Sequence, residues 1–463
     1  MKEFAEVYEE VSQGKSVRVY EMADFCQIAL QSLYQILNGK RKPTSRDLVL
    51  RIAEYLQLRP KEREKLVNSY FMTIIGKDVY IRRKSVTNFF DSYKEGIGDL
   101  RFFRTSTIEE LPNLMTISNT LDLAQLVYNM FFETKKEVLC MYLPSTFPIL
   151  ANLVRSYEKE GGQLHIEHIF GINRQKQDTE LENSTLRTLQ NLIPIYMGTT
   201  DFKSYYFYED MDSFMYPFPY YILSHAGLIQ IASDFKNAIL IKDEKIQSLY
   251  YAHFNAQRKY STPFNVELTK SNQIMKNSLY YWQNNQESVV SYRYYPFLYP
   301  LLDEELLKET TMGMDPDFLA ESIEYMDCVR AKLEAYPSKL LFTFEGIQKF
   351  MKFGYLGEID SMTENTFNLR DRKEIIGRLI DKYDEYGYMM LKGMFGGIDP
   401  LIQLMVTPSR GYVQIFNEHK QSVFLGIRNE KVLFLFKDYL ENIPENLVYT
   451  PQEAKQLLKR LLE

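Results

Sequence analysis

Only three cysteines, Cys26, Cys140 and Cys328, occur in 463 residues. They are too few and too scattered for a disulfide framework or a thiolate metal site. They fit a reducing compartment, where a lone cysteine is usually a small buried apolar residue. Long apolar runs are also missing. Stretches such as Leu126-Val127-Tyr128 and Met130-Phe131-Phe132 break off far short of the ~18 residues that a membrane span needs. The opening Met1-Lys2-Glu3-Phe4-Ala5-Glu6 turns acidic at once and has no signal-peptide apolar core. Together these features predict a cytoplasmic protein with no membrane partner. With 21 Gly and 17 Pro the composition is that of an ordinary globular chain, which excludes collagen-like and low-complexity classes.

Motifs for common chemistry are equally sparse. Gly14-Lys15-Ser16 resembles the end of a phosphate loop, but Glu9 stands where that pattern needs glycine. Gly393-Met394-Phe395-Gly396-Gly397 reads as a plain loop. In His165-Ile166-Glu167-His168 a strand would turn His168 away from His165 and Glu167, so no metal site is expected. His225, His253 and His419 have no ligand spacing. Glu209-Asp210-Met211-Asp212 gathers carboxylates in a polar loop without the fixed separation that acid/base work requires. No catalytic residue, metal or cofactor is predicted.

What is present is uneven. The net charge is -6, yet the first 84 residues carry 16 Lys and Arg against 11 Asp and Glu, a net +5, which leaves -11 on the rest. A basic head on an acidic body suggests that only the head meets a polyanion. Tyrosine and phenylalanine are abundant, 35 and 30, beside the single Trp282. They concentrate in Tyr205–Tyr208, Tyr216–Tyr221 and Tyr280–Tyr299. Core and sheet packing accounts for most of them. Tyr206, Tyr208, Tyr220 and Tyr294 are the candidates for a ligand-lined cleft.

From Ser16 to Met72 the chain reads as short helices. Val19–Phe25 is amphipathic, and Ala29–Leu37 places Leu33, Ile36 and Leu37 on one face. Asn38-Gly39 ends that helix, since glycine takes the left-handed closing conformation at low cost. Lys40-Arg41-Lys42-Pro43 is a basic loop. Thr44 with Asp47 suggests a capping box opening a helix with Val49, Ile52, Ala53 and Leu56 on its inner side. Arg59-Pro60 starts another.

The unbroken run Glu21–Pro43, followed by the Leu48–Leu58 helix, resembles the XRE family of phage-repressor-like helix-turn-helix transcriptional regulators. The resemblance covers about the first 70–75 residues. Gln27 stands where the family has its turn glycine, and Ala29 and Leu30 replace the polar residues that open its recognition helix. The resemblance implies a bacterial-type regulator whose second helix enters the major groove of double-stranded DNA. Leu30, Gln31, Tyr34 and Gln35 are then the base-contact candidates, the amides suiting adenine and Leu30 a thymine methyl. Asn38, Lys40, Arg41 and Lys42 are the phosphate-contact candidates, which position without specifying.

The body alternates strands and helices, which argues α/β. It also repeats. Leu228–Ile231, Asp234, Lys236 and Ile239 align with Tyr412–Ile415, Glu418, Lys420 and Val423. Glu244-Lys245-Ile246, Leu249 and Tyr250 align with Glu430-Lys431-Val432, Leu435 and Phe436. Leu192-Ile193 and Tyr196 fall opposite Leu379-Ile380 and Tyr383, and strands at Val138–Tyr142 and Leu340–Phe344 are expected to open the two copies. Paired α/β halves resemble the phospholipase D-like architecture. Its chemistry needs H-x-K in each half, whereas His225-Ala226-Gly227 is the nearest match and the second half offers none. A duplicated sensor fold without that kinship is the simpler account.

The expected architecture is multi-domain: an all-α helix-turn-helix head (1–75), a helical connector (76–135), α/β copy one (136–265), an aromatic-rich helical connector (266–335) and α/β copy two (336–463). The expected function is that of a non-enzymatic, sequence-specific transcriptional regulator acting as a homodimer. Its body would sense a small molecule or peptide, hold the subunits together, or do both. The alternatives are a DNA-targeted phospholipase D-like enzyme or nuclease, and a protein-interaction adaptor.

Overall fold

The computed structural model describes residues 2–91, 102–134, 137–147, 149–173, 178–209, 217–268, 271–313, 316–356, 366–393, 402–416 and 422–463. Tyr216, Asp210–Asp212, Glu418–Lys420 and all of the Gly393–Gly397 loop after its first residue lie outside them. Two compact units divide the chain, residues 1–87 and 88–463. The first therefore reaches beyond the expected limit of 75.

The first unit is built from α1 (Lys2–Ser12), α2 (Val19–Cys26), α3 (Leu30–Leu37), α4 (Arg46–Tyr55), α5 (Pro60–Ile75) and most of α6 (Lys77–Asp91). Each of the first five helices donates a stripe to one core. Phe4, Met22, Leu33, Ile36, Val49, Ile52 and Leu66 are buried there together. Starts and stops follow local chemistry. Pro60 sits in the first turn of α5, where its missing N–H costs nothing, and the Glu62 carboxylate accepts from the Arg59 N–H at 2.9 Å. The cap of α4 is Ser45 rather than Thr44. Ser45 is extended and its hydroxyl accepts from the Leu48 N–H at 3.2 Å, one residue later than the expected box.

The second unit holds two mixed sheets. The first half runs β1 (Leu114–Ile117), α7 (Thr120–Thr134), β2 (Val138–Tyr142), α8 (Leu150–Lys159), β3 (His165–Asn173), α9 (Asp178–Tyr196), β4 (Asp201–Glu209), β5 (Tyr220–Ser224), β6 (Gly227–Ile231), β7 (Ala238–Ile241), α10 (Glu244–Tyr260) and β8 (Thr262–Pro263). The second runs β9 (Asn265–Leu268), α11 (Ser271–Gln283), β10 (Val290–Tyr292), α12 (Glu304–Thr310), α13 (Pro316–Ala335), β11 (Lys339–Thr343), α14 (Phe344–Phe353), α15 (Leu369–Lys382), β12 (Tyr388–Leu391), β13 (Ile402–Val406), β14 (Gly411–Phe416), β15 (Ser422–Ile427), α16 (Glu430–Glu441) and α17 (Pro451–Arg460).

Strand order is β1-β7-β6-β5-β2-β3-β4-β8 in one sheet and β12-β11-β10-β13-β14-β15-β9 in the other. Read from β1 and from β9, the first seven positions correspond one to one, and so do the directions. Parallel pairs β2–β3 and β3–β4 match β10–β11 and β11–β12. The remaining neighbours are antiparallel in both. The body is a structural duplication.

Its boundaries differ from the expected ones. Residues 76–135 contain β1, and residues 266–335 contribute β9 and β10 to the second sheet rather than a helical connector. Val138–Tyr142 is the counterpart of Val290–Tyr292, and the strand near Leu340 is the counterpart of β3. The separation between equivalent starts grows along the chain, from 152 for β2/β10 to 174 for β3/β11 and 184 for β6/β14. The jump between the first two comes from the longer α12–α13 passage, and the expected pairing of Val138–Tyr142 with the strand near Leu340 is off by one strand.

Candidate nucleic-acid interface

Helix α2 ends because Gln27 turns left-handed, with φ 55° and ψ 45°. Its N–H reaches the Asp24 carbonyl at 3.1 Å, and the Ile28 N–H reaches that of Ala23 at 3.0 Å. A glutamine here meets a steric cost that glycine avoids. Arg51 of α4 braces the turn. Its Nη1 donates to the Cys26 carbonyl and to Gln27 Oε1, both at 3.3 Å. Ala29 follows in extended conformation and begins α3 without a side-chain cap.

Leu33, Ile36 and Leu37 anchor α3 in the core, whereas Leu30, Gln31, Tyr34, Gln35 and the following Asn38 are exposed. Their spacing places them on one outward face. That face offers carboxamides, a phenol and an aliphatic tip, and no charge. Charge lies beside it. The backbone N–H groups of Lys40 and Arg41 both return to the Gln35 carbonyl, at 2.8 and 3.0 Å, which folds the basic loop against the end of α3. Arg41 Nη1 lies 3.4 Å from Ser32 Oγ of α3. Lys42 Nζ donates to the Ile74 carbonyl at 3.3 Å, at the end of α5, where a cation also suits the helix dipole. Lys40 has no side-chain partner among the described residues and is the freest of the three cations.

All eight sequence-predicted DNA residues are thus exposed around one helix and its exit loop. Sequence reasoning missed Arg51, whose role shows only when the turn is built, and Arg46, exposed in the first turn of α4. It also missed the outward aromatics Tyr20 and Phe25, the latter 5.8 Å from Tyr55 between ring centroids.

The four ligand candidates do not converge. Tyr206 and Tyr208 meet edge to face at 5.7 Å on β4, while Tyr220 stacks on Phe235 from β5. Strands β3 and β2 separate β4 from β5. Tyr294 belongs to the other half and is buried, with Lys349 Nζ 4.8 Å from its ring. The aromatic cluster that does form involves other residues. Tyr142 and Tyr221 stack at 5.3 Å, and the Tyr221 hydroxyl lies 3.1 Å from His253 Nδ1. Burial pushes the Tyr221 phenol far above its ordinary pKa.

The histidine motif on β3 splits across the sheet. His165 pairs with Asp201 at 2.5 Å, Glu167 pairs with Arg258, and His168 is buried with Nε2 2.9 Å from the Leu143 carbonyl. His225 occupies the β5–β6 turn, exposed, 2.6 Å from Glu137. Among the described residues no three metal-ligating side chains cluster, and no helix is long and apolar enough to cross a membrane.

No family model and no curated protein matches this sequence. Among solved structures, TrmBL2, an archaeal chromatin protein with a novel mode of DNA binding, is 6% identical over 56% of this chain and 99% of its own, with a TM-score of 0.25. Phosphatidylserine synthase from Haemophilus influenzae Rd KW20 is 9% identical over 80% of this chain and 97% of its own, TM-score 0.25. Polyphosphate kinase from Porphyromonas gingivalis is 9% identical over 77% and 56%, TM-score 0.23. Overlaps this loose leave fold and activity to be argued from the chain's own residues.

Proposed function

We propose that this protein is a sequence-specific double-stranded DNA-binding transcriptional regulator of the helix-turn-helix type. The observation that carries the reading is α3. It is held by a buried face of Leu33, Ile36 and Leu37 and presents Gln31, Tyr34 and Gln35 outward beside a basic loop. Amides on a rigid helix read base edges, and lysines and arginines beside it hold the backbone in register. The first compact unit carries a net +5 and the second a net -11, so the net charge that favours phosphate lies on the unit that carries α3.

One short helix reads only a few base pairs, which favours a homodimer spanning two half-sites. The duplicated body serves in this reading as the scaffold that holds two heads. It would also be a sensor if a ligand shifts its arrangement.

Selection of bound sites from a random duplex pool, followed by titration of the selected site, tests the proposal. Specific binding that is lost on replacing Gln31 and Gln35 supports it. Equal affinity for all duplexes, or none, removes it.

A further inference from the structure

A groove in the first unit adjoins the outward face of α3. It lies between α1 and the end of α3, has a volume of about 580 Å³, and is bordered by Glu6, Tyr8, Glu9, Ser12, Tyr34 and Asn38. That volume suits a small ligand. Four carboxylates project from α1, and they divide in two. Glu3 is held by Lys77 at 3.6 Å and Glu10 by Lys65 at 2.5 Å. Glu6 and Glu9, the two on the groove, are exposed and have no side-chain partner among the described residues.

Their surroundings are aromatic and hydroxylic. Tyr8 is half-buried, its hydroxyl engaged with Ser12, and Tyr34 lies close enough to act on it electrostatically. Carboxylates neutralise an ammonium or guanidinium group through charge-assisted hydrogen bonds. Phenol faces accept its cationic edge and the methylenes next to it. The Ser12 hydroxyl and Asn38 side chain supply further polar partners. The two carboxylates repel phosphate, and a neutral apolar molecule offers them nothing to pair with.

We infer that this groove binds a small organic cation, a primary amine or guanidine on a short aliphatic stem, and that the cation is an effector of DNA binding. Tyr34 and Asn38 belong to the groove and also to the outward face of α3. Two uncompensated carboxylates at that border oppose phosphate within a screening length of about 8–10 Å. A bound cation cancels them, so DNA affinity rises when the groove is filled. This coupling rests on the DNA-binding reading, whereas the cation site does not.

Calorimetry of the full chain with agmatine and with putrescine, without DNA and at fixed ionic strength, tests the site. Saturable binding is expected, and Glu6→Gln with Glu9→Gln should weaken it about tenfold or more per carboxylate. Both positions are exposed, and circular dichroism checks that the double variant folds. No saturable heat with either probe, or binding indifferent to the double variant, overturns the site. Anisotropy titration on a selected duplex tests the coupling. Agmatine should tighten binding by the native chain, and the double variant should bind tighter from the start and ignore agmatine. A native chain whose DNA affinity is unmoved by saturating agmatine overturns the effector role. A chain that binds agmatine but no duplex at all overturns the DNA reading and leaves the site standing.

Discussion

The two halves of the body share seven strands in one order, yet their closing helices live in different surroundings. Helices α10 and α16 both follow the last strand of their sheet's meander, and both begin at a side-chain cap, Asp243 and Asn429. On α16 the positions Val432, Leu435, Phe436 and Tyr439 are all buried, with Phe89 of α6 against Phe436 at 5.3 Å. The equivalent positions on α10 are Ile246, Leu249, Tyr250 and His253. There Leu249 is 70% exposed, against 3% for Leu435. One shared pattern has therefore been put to two uses. The second copy became the better-insulated core, and the first left Ile246 and Leu249 in water. Equivalence of topology does not carry equivalence of energetics, because burial is set by what packs outside the duplicated unit.

The largest expected effect breaks that comparison directly. Phe436→Ala should destabilise the protein by about 3–5 kcal/mol, a buried ring removed from a filled core. Leu249→Ala should stay within about 0.5 kcal/mol, as for an exposed position. Chemical denaturation of both variants reads the difference, and similar costs would mean that the α10 stripe is covered in solution.

Acid should separate the halves next. Burial lowers the pKa of His168 from 6.5 to about 4, so the folded chain holds this ring neutral while the unfolded chain protonates it first. Stability from this residue is complete above pH 6.5 and drains as pH falls toward 4, by about 3 kcal/mol. None of the strands of the second sheet contains a histidine among the described residues. His168→Phe should flatten the dependence of the midpoint on pH in that window. An unchanged pH profile would show that His168 is not the group responsible.

Comparing head with body gives a smaller but more specific effect. Ala at Gln31 or Gln35 should relax preference at particular bases by roughly 1–3 kcal/mol for each bidentate hydrogen-bonded pair removed. Removing the Lys40 charge should weaken all duplexes alike and reduce the salt slope by about one. Neutralising Lys42, already engaged with the Ile74 carbonyl, should change the slope less. Smallest of all, Gln27→Gly should stabilise by up to about 1 kcal/mol by relieving the positive φ, offset by the missing hydrogen bond from Arg51. A thermal melt that moves downward would show that the Arg51 brace outweighs the relieved strain.

Much of this is legible in the sequence. Periodicity finds α3 and its inner face because one turn of helix contains enough apolar signal to mark it, and Gly39 punctuates its end. The alignments of β6 with β14, α10 with α16 and α9 with α15 are also readable. They lie where the separation between copies is nearly constant. The strands before them are not, since α12 and α13 enlarge one crossover and β10 is only three residues long. A three-residue strand inside an aromatic-rich stretch has no alternation to detect. The tyrosines mislead for a related reason: composition marks them as notable, but whether a ring faces a cleft or a core depends on sheet partners distant in sequence. Tyr294 and Tyr208 both stand in aromatic-rich stretches, yet one is buried and the other open. The Arg51 brace is hidden because it joins residues 24 positions apart.

The passage from one half to the other has a mechanical consequence. Strand β8 closes the edge of the first sheet at Pro263, and β9 opens the edge of the second at Asn265, so the joint is Phe264 alone. Its N–H donates to the Ser204 carbonyl at 2.9 Å and its ring packs on Phe170 at 5.3 Å, while Asn265 Oδ1 accepts from the Ser204 N–H at 3.0 Å. A hinge needs residues whose torsions can change without breaking bonds, and turning Phe264 would strain its hydrogen bond to the Ser204 carbonyl. At this crossing the joint is one residue long, so a change in the angle between the sheets loads the β4–β8 and β9–β15 ladders that flank it.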